Sequence, residues 1–422
     1  MIVGTQVVER LAELAKLGAY DQGIDRGLFT ATEHEARRRF AGWARAAGFD
    51  LEQDRAGNLF ARRRGGGDGR APIVVGSHLD TVRTGGAYDG AYGVVGAMCA
   101  LERLNAGGTQ TEHPVEAVAW AGEEGSRFPM GCLGSGAYAG LNSIEAIEAL
   151  VGDDGVRFVA ARDGAGGLLP DVRVREGFPR PAACLELHIE QGPIMERAGV
   201  RLGVVSAIAG QVRVEVEVLG ESGHAGTVPM IARHDALAAA AEIALALETL
   251  ARQLGECVLT VGHLVVEPNQ TNVIPARVVF RVDARSVDDE RVDRLEAGIR
   301  DECARMEIQR GVKCAIKTLE RRAAVSMDGG LRAAIQEALG GLRAAQRDAH
   351  GNLDIKVMEI SSGAGHDTMC VATIAPAAMI FVPSAGGRSH VGSEYTAPED
   401  LELGVEALTR SIAAVDRLLS KK

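Results

Sequence analysis

Four apolar runs along this chain each end in a loop that carries imidazole or carboxylate groups. The runs are Pro72 to Ser77 (PIVVGS), Val115 to Trp120 (VEAVAW), Ala183 to Leu187 (ACLEL) and Ala378 to Val382 (AMIFV). Stretches rich in Ala and Leu with helical periodicity separate them, and this alternation predicts an α/β sheet covered by helices. Because ligands of such sheets bind outside the carboxyl ends of the strands, we expect the chemistry in these four loops.

Size and charge exclude several classes of function. A chain of 422 residues, 46% of them hydrophobic, can form two or three domains. Its net charge of −11, with acidic and basic residues interspersed, argues against nucleic-acid and anionic-membrane partners. The N-terminus lacks a signal-peptide pattern and no apolar stretch approaches about 18 residues, so we expect a cytoplasmic protein. The seven cysteines are scattered without a CxxC pair, which indicates neither a disulfide framework nor a thiolate zinc site.

The middle of the chain has a different pattern. Valines at 212, 214, 216 and 218 alternate with charged residues, as in a strand with one solvated face. We predict that a helix at about 230–252, strands at 257–266 and 277–285, a helix at 288–306 and a strand at 313–320 follow it. This βαββαβ order is the ferredoxin-like arrangement. We therefore predict an inserted domain at 209–321, within a discontinuous domain formed by 1–208 and 322–422.

The first two loops offer donors for a divalent metal ion. GSHLDTVRTGGAYDG contains His78 and Asp89, and an imidazole and a carboxylate are suitable zinc ligands. We expect Asp80 to accept a hydrogen bond from the other ring nitrogen of His78 and so fix its tautomer. In AGEEGSRF, adjacent carboxylates point to opposite sides, so one of Glu123 and Glu124 can bind metal while the other acts as general base.

The third and fourth loops add one histidine each. His188 follows ACLEL in ELHIEQGP, and His390 follows AMIFV in FVPSAGGRSHVGSEYT. Taken singly, either histidine has an ordinary structural explanation, and the carboxylates of the first two loops could be polar surface turns. The joint pattern favours a metal site, because four strand ends share these groups in a protein with only ten histidines.

Several segments together resemble the M20-type amidase family, in its hydantoinase/carbamoylase branch. They are HLDTV with the following YDG, AGEEGSRF, LELHIEQGP, GHAGTVPM, NVIP, VDARS, SSGAGHD and the final SH. The resemblance covers about residues 76 to 400 in the expected order. LELHIEQGP and AGEEGSRF distinguish this branch from the family's peptidases.

The resemblance implies a dinuclear metal centre. By the family's pattern, His78 and His188 are expected to bind one ion, and Glu124 and His390 the other. Asp89 is expected to bridge the two ions. Zinc is the first expectation, with manganese, cobalt or nickel as alternatives, because His and carboxylate sites accept all four.

The resemblance also implies roles in catalysis and substrate binding. Glu123 is expected to be the general base. His224 is expected to reach the active site of a partner subunit and to stabilise the oxyanion that develops during hydrolysis. Gln191, Asn272 and Arg285 match substrate-facing positions, with Asn272 and Arg285 holding a carboxylate. The inserted domain would then be a lid and the contact surface of a homodimer.

The expected reaction is hydrolysis of a ureido or carbamoyl C–N bond in a small molecule, first of all an N-carbamoyl-L-amino acid. Allantoate, ureidoglycolate and β-ureidopropionate are alternative substrates; a dipeptidase or aminoacylase and a non-catalytic binding protein are less favoured. A serine hydrolase is not supported because no GxSxG occurs. His366 and Asp367 of GHD are expected near the site but outside the ligand set, and the role of Arg388 is left open.

Overall fold

The computed structural model describes residues 5–67, 69–177, 179–350 and 355–421, except for the side chains of 343–350. The strands are β1 (Ala19–Tyr20), β2 (Gly23–Ile24), β3 (Asp50–Gln53), β4 (Leu59–Arg63), β5 (Ile73–His78), β6 (Val115–Trp120), β7 (Arg173–Val174), β8 (Ala183–Ile189), β9 (Leu202–Ile208), β10 (Gly210–Leu219), β11 (Cys257–Glu267), β12 (Arg277–Ser286), β13 (Lys313–Arg322), β14 (Val325–Ser326), β15 (Val357–Ser362) and β16 (Ala377–Val382). The α-helices are α1 (Gln6–Leu14), α2 (Ala31–Ala46), α3 (Ala91–Ala106), α4 (Leu133–Tyr138), α5 (Ile144–Glu148), α6 (Phe158–Asp163), α7 (Ile194–Ala198), α8 (Ala236–Leu254), α9 (Asp289–Arg310), α10 (Gly329–His350), α11 (Asp367–Val371) and α12 (Pro398–Leu419). Short 3-10 turns occur at Met230–Ala232 and Ala385–Gly387.

The chain divides into two compact units. The first contains Met1–Ser206 and Met327–Lys422, and the second contains Ala207–Ser326. The second unit starts two residues before, and ends five residues after, the 209–321 segment that the sequence predicts.

The first unit is built on one mixed sheet, with strand order β9-β16-β8-β5-β6-β4-β3-β7 and β15 beside β9. Its centre is parallel, since β16, β8, β5 and β6 all run in the same direction. The predicted fold class, an α/β protein with a large mixed sheet, is confirmed.

Both faces of the central strands are buried, which explains their continuous apolar runs. Ile73 and Val75 of β5 join the core that α3 and α12 cover, whereas Val74 between them joins a cluster on the other face with Val371 of α11. The register pairs His78 with Trp120 and His188 with Phe381. The carboxyl ends of four adjacent strands therefore lie side by side.

The second unit is a four-stranded antiparallel sheet in the order β11-β12-β10-β13. With α8 after β10 and α9 after β12, this is a ferredoxin-like arrangement. Val212, Val214, Val216 and Val218 are completely buried in the core formed with α8 and α9. Helix α8 starts later than predicted because Asp235 caps it, accepting hydrogen bonds from the backbone N–H groups of the second and third helical residues.

None of the helices among the described residues combines the length and the apolar character that crossing a bilayer requires.

Candidate metal centre

The first group of donors consists of His78, Asp89 and His188. Asp89 Oδ1 lies 3.2 Å from His188 Nε2 and 3.8 Å from His78 Nε2, and all three side chains are buried. Gly90, at φ 64°, leaves space for the His78 ring, since a Cβ at position 90 would lie 2.3 Å from that ring. The other ring nitrogens of both histidines face backbone carbonyls, so that Nε2 of each points at the carboxylate.

The second group shares Asp89 with the first. Its other oxygen, Oδ2, lies 3.1 Å from His390 Nε2, which is 3.7 Å from Glu124 Oε2. His390 adopts a positive φ of 60°, a backbone conformation that costs energy for a residue other than glycine. The His390 side chain is 51% exposed, whereas those of Asp89 and Glu124 are buried, so the centre opens to solvent on the His390 side. Asp89 thus presents one oxygen to each group.

Glu123 lies beside the first group, with Oε2 3.7 Å from His78 Nε2. Its other oxygen lies 3.5 Å from the Cys132 thiol. The contacts of Asp80 differ from the prediction. The His78 Nδ1 atom lies 2.9 Å from the Asp80 backbone carbonyl but 3.7 Å from its carboxylate, which accepts hydrogen bonds from the N–H groups of Glu123 and Glu124. Asp80 therefore fixes the loop of the two glutamates with its side chain and the His78 ring with its backbone.

The ionisation of the cluster reflects an excess of buried negative charge. Burial, and then neighbouring carboxylates, raise the pKa of Glu123 and of Glu124 well above the usual value. Burial would also raise the pKa of Asp89, but hydrogen bonds with His188 and His390 outweigh it and hold that pKa well below its usual range. Burial lowers the pKa of His188, but the hydrogen bond and the charge of Asp89 together raise it to about 9. An excess of buried carboxylates of this kind is what a bound divalent cation can balance.

The donor set fits two divalent ions. His78, Asp89 and His188 offer ligand atoms within 4.8 Å of one another, and so do Asp89, Glu124 and His390. Within the described part of the chain, the ion pairs of these carboxylates are all with histidines. Imidazole and carboxylate donors suit zinc, manganese, cobalt and nickel alike.

The ligand atoms of a further cluster, Glu186, His188 and His366, also lie within 4.8 Å of one another. Both oxygens of Glu186 are already occupied, one by the Ser77 hydroxyl and the other by the N–H and hydroxyl of Thr368. His366 Nε2 lies 2.8 Å from a serine hydroxyl, and its ring packs edge-on against His188 at 4.6 Å. This cluster supports the His188 ring and does not form a separate ligand set.

Gln191, predicted to face the substrate, contacts the proposed bridging residue. Its Nε2 donates to Asp89 Oδ2 over 2.8 Å. Two residues that the sequence interpretation missed lie here as well: Ser389, 3.2 Å from the same oxygen, and Glu394, which accepts from the N–H of Asp89. Glu394 follows His390 by only four residues, and this proximity was the available signal.

The remaining predicted residues belong to the second unit. His224 is exposed, pairs through its backbone with Val273 next to Asn272, and accepts a hydrogen bond from the Gly226 N–H at Nδ1. The Arg233 guanidinium holds this loop by donating to the carbonyls of residues 225 and 228.

Arg285 lies at the opposite end of β12 from Asn272. Its guanidinium makes a two-point contact with Asp283, with distances of 2.8 and 3.1 Å. The structure thus brings His224 and Asn272 together and separates them from Arg285.

Comparisons with known proteins agree with the fold and the donor set. Residues 74–414 match the family described as Peptidase family M20/M25/M40. The chain is 37% identical to an N-carbamoyl-L-amino acid amidohydrolase of Geobacillus stearothermophilus, over 98% of both chains. It is also 37% identical to an allantoate amidohydrolase of Bacillus subtilis, over 96% of both. Among solved structures, an amidase of the hydantoinase/carbamoylase family from Burkholderia multivorans is 36% identical, covers 98% of this chain and 97% of its own, and superposes with a TM-score of 0.87.

The resemblance inferred from the motifs is confirmed at the level of the family and of its non-peptide branch. The chain belongs to the M20 family and, within it, to the metal-dependent amidohydrolases that act on C–N bonds outside peptides.

Proposed function

We propose that this enzyme hydrolyses the ureido C–N bond of an N-carbamoyl-L-amino acid, using two divalent metal ions bridged by Asp89. One observation carries the proposal: each Asp89 oxygen faces a different group of donors, and Glu123 stands beside them. The name of the Geobacillus stearothermophilus relative supports this choice of substrate.

Bound at these residues, the ions would supply Lewis acidity, which lowers the pKa of water and polarises the substrate carbonyl. Glu123 takes the proton of the attacking water and returns it to the leaving nitrogen. The C–N bond breaks, releasing the free amino acid and carbamate, which decomposes to ammonia and carbon dioxide.

His224 is suited to stabilise the oxyanion of the tetrahedral intermediate. Because the Gly226 N–H donates to Nδ1, the proton of the neutral ring lies on Nε2. An exposed ring with a fixed tautomer can donate to an oxyanion, and removing one such donor typically costs about 10²- to 10³-fold in kcat.

The geometry of the second unit supports an active site completed by a second subunit. His224 and Asn272 lie where β10 ends and β12 begins, and Arg285 lies at the other end of β12. Eight residue steps from Arg277 to Arg285 span about 26 Å. A small ureido acid does not bridge this distance, so if all three residues bind one substrate, they come from two copies of the chain.

Strand β11 is a suitable contact surface for a homodimer. It is an edge strand of 11 residues, with Val258 60%, Leu264 52% and Val265 42% exposed. A long apolar edge is a template for strand pairing unless it is protected. We infer that a second copy covers this edge and that the second unit is both lid and dimerisation domain.

Allantoate is the main alternative substrate, because the Bacillus subtilis relative named for it is equally similar to this chain. Ureidoglycolate and β-ureidopropionate require the same chemistry. A dipeptidase or aminoacylase is less supported, since LELHIEQGP distinguishes the non-peptide branch and the relatives named above act on ureido compounds by their names. A binding protein without activity is less supported, since Glu123 and all five proposed ligands are present. A cytoplasmic location stays a prediction.

The test is a substrate panel. Protein stripped of metal and reloaded separately with Zn²⁺, Mn²⁺, Co²⁺ or Ni²⁺ is assayed for amine and ammonia release from N-carbamoyl-L-amino acids, allantoate, ureidoglycolate and β-ureidopropionate. We expect turnover with N-carbamoyl-L-amino acids to be fastest and to disappear in stripped protein. Faster turnover of allantoate would reassign the substrate, and no turnover of any ureido compound would refute the function.

A further inference from the structure

Glu394 is a buried carboxylate, 5% exposed, in the loop that carries His390. Its Oε1 accepts hydrogen bonds from the backbone N–H groups of Tyr88, over 2.8 Å, and Asp89, over 3.0 Å. Its Oε2 accepts from the Ser389 hydroxyl over 2.8 Å. All three donors are neutral groups, two in the Asp89 loop and one directly before His390.

The two amides fix the backbone from which Asp89 projects. Rotation of the Asp89 carboxylate would remove one of its oxygens from His188 or from His390, and a fixed backbone limits that rotation. Gly86 makes room for the contact, because a Cβ at that position would lie 2.2 Å from Glu394 Oε1. The loop of Asp89 is thus shaped to accommodate this carboxylate.

The hydroxyl of Ser389 has one hydrogen and two acceptors within reach. It lies 2.8 Å from Glu394 Oε2 and 3.2 Å from Asp89 Oδ2. The shorter distance favours donation to Glu394, because Asp89 Oδ2 already faces Gln191 Nε2 and His390 Nε2. Asp89 Oδ2 then has one less proton competing with a cation for its lone pairs.

We propose that Glu394 is a positioning residue of the metal centre: it fixes the backbone of Asp89 and draws the Ser389 hydroxyl proton away from the bridging oxygen. The inference rests on the proposed metal site but not on the choice of substrate. Groups that orient metal ligands commonly change metal affinity by about 10- to 100-fold when they are replaced.

The test compares Glu394→Gln with a matched control, Asp416→Asn. Asp416 is also 5% exposed and also accepts from two consecutive backbone N–H groups, those of Glu112 and His113. These two residues precede β6, so they lie at the amino end of a strand whose carboxyl end faces the metal centre. Each variant, stripped of metal, is titrated with Zn²⁺ against a competing chelator, and its unfolding temperature is measured without metal.

Glu394→Gln keeps an oxygen for the two amides but presents an N–H₂ group to Ser389, whose hydroxyl then donates to Asp89. We expect its Zn²⁺ affinity to fall about 10- to 100-fold, while Asp416→Asn binds Zn²⁺ like the parent. Adding Ser389→Ala to Glu394→Gln removes the misdirected proton, so the double variant should regain part of the lost affinity.

Parental affinity in Glu394→Gln, or an equal loss in Asp416→Asn, would overturn the inference. If Glu394→Gln does not fold, Ser389→Ala alone offers a second check. The Ser389 hydroxyl donates to Glu394 in the parent, so its removal should leave Zn²⁺ affinity at the parental level, and a loss of about 10-fold or more would contradict us. If Glu394→Gln binds Zn²⁺ more weakly than the parent, but the parent hydrolyses no ureido compound, the proposed function is refuted and this inference stands. A parent that binds no Zn²⁺ would refute both.

Discussion

His224 is predicted to act in the active site of the partner subunit, and mixing two inactive variants tests this. Glu123→Gln lacks the proposed general base, and His224→Ala lacks the oxyanion donor. We expect His224→Ala to lose about 10²- to 10³-fold in kcat and to retain its metal. The Glu123→Gln variant should be inactive at full metal content.

The expected activity of the mixture follows from the proposal that the partner subunit supplies His224. About 26 Å along β12 separates Arg285 from the end of the strand where His224 lies, too far for one small substrate to contact both within one chain. In a heterodimer of the two variants, one site combines both defects. The other combines the intact Glu123 of one chain with the intact His224 of its partner. Random reassociation at equal concentrations gives about half heterodimers, so about one quarter of all sites should be active.

The assay measures ammonia release after the two variants are mixed under conditions that exchange subunits, with each variant alone as control. Recovery of about 25% of the parental kcat is expected from the site count. Activity no higher than the mean of the separate variants, in a mixture shown by mass spectrometry to contain heterodimers, would refute the assignment of His224 to the partner's site.

Three further predictions follow from the same contacts. Glu124→Gln should lose metal from the group containing His390, whereas Glu123→Gln should retain it; equal metal contents by elemental analysis would contradict the division between base and ligand. Arg233→Ala removes the guanidinium contacts of the His224 loop and should lower kcat by at least 10-fold with metal content unchanged. A parental kcat would show that the loop keeps its conformation without Arg233. Leu264→Lys places a charge on the exposed edge of β11 and should shift the proposed dimer to monomer in sedimentation, whereas a variant that sediments like a parental dimer would show that β11 does not form the interface.

The strands that carry the metal donors could be predicted because both of their faces are buried. VEAVAW is β6 with the predicted bounds. The run at 72–77 is shifted by one residue from β5, and the other two runs are shorter than β8 and β16 by two residues and one residue at one end. The start of α8 could not be taken from apolar periodicity alone, because the 3-10 turn at Met230–Ala232 extends the apolar pattern ahead of the helix. The capping residue Asp235 was the better signal.

The donors of the candidate site could be predicted, but the contacts among them could not. Strand ends and ligand chemistry pointed to Asp89, yet nothing in the sequence shows that its two oxygens are divided between two groups. Asp80, Gln191 and Glu394 depend on loop conformations, in which a change of one residue redirects a side chain. The pairing of Arg285 with Asp283 follows from their positions two apart on one face of β12.

The central claim is that Asp89 bridges two metal ions. Anomalous diffraction at the zinc absorption edge, from crystals of protein reloaded with Zn²⁺, tests it most directly. We predict two peaks per chain on either side of the Asp89 carboxylate, one within coordination distance of His78 and His188 and the other within that distance of Glu124 and His390. A single peak, or a peak at Glu186 and His366 with none beside Asp89, would contradict the account.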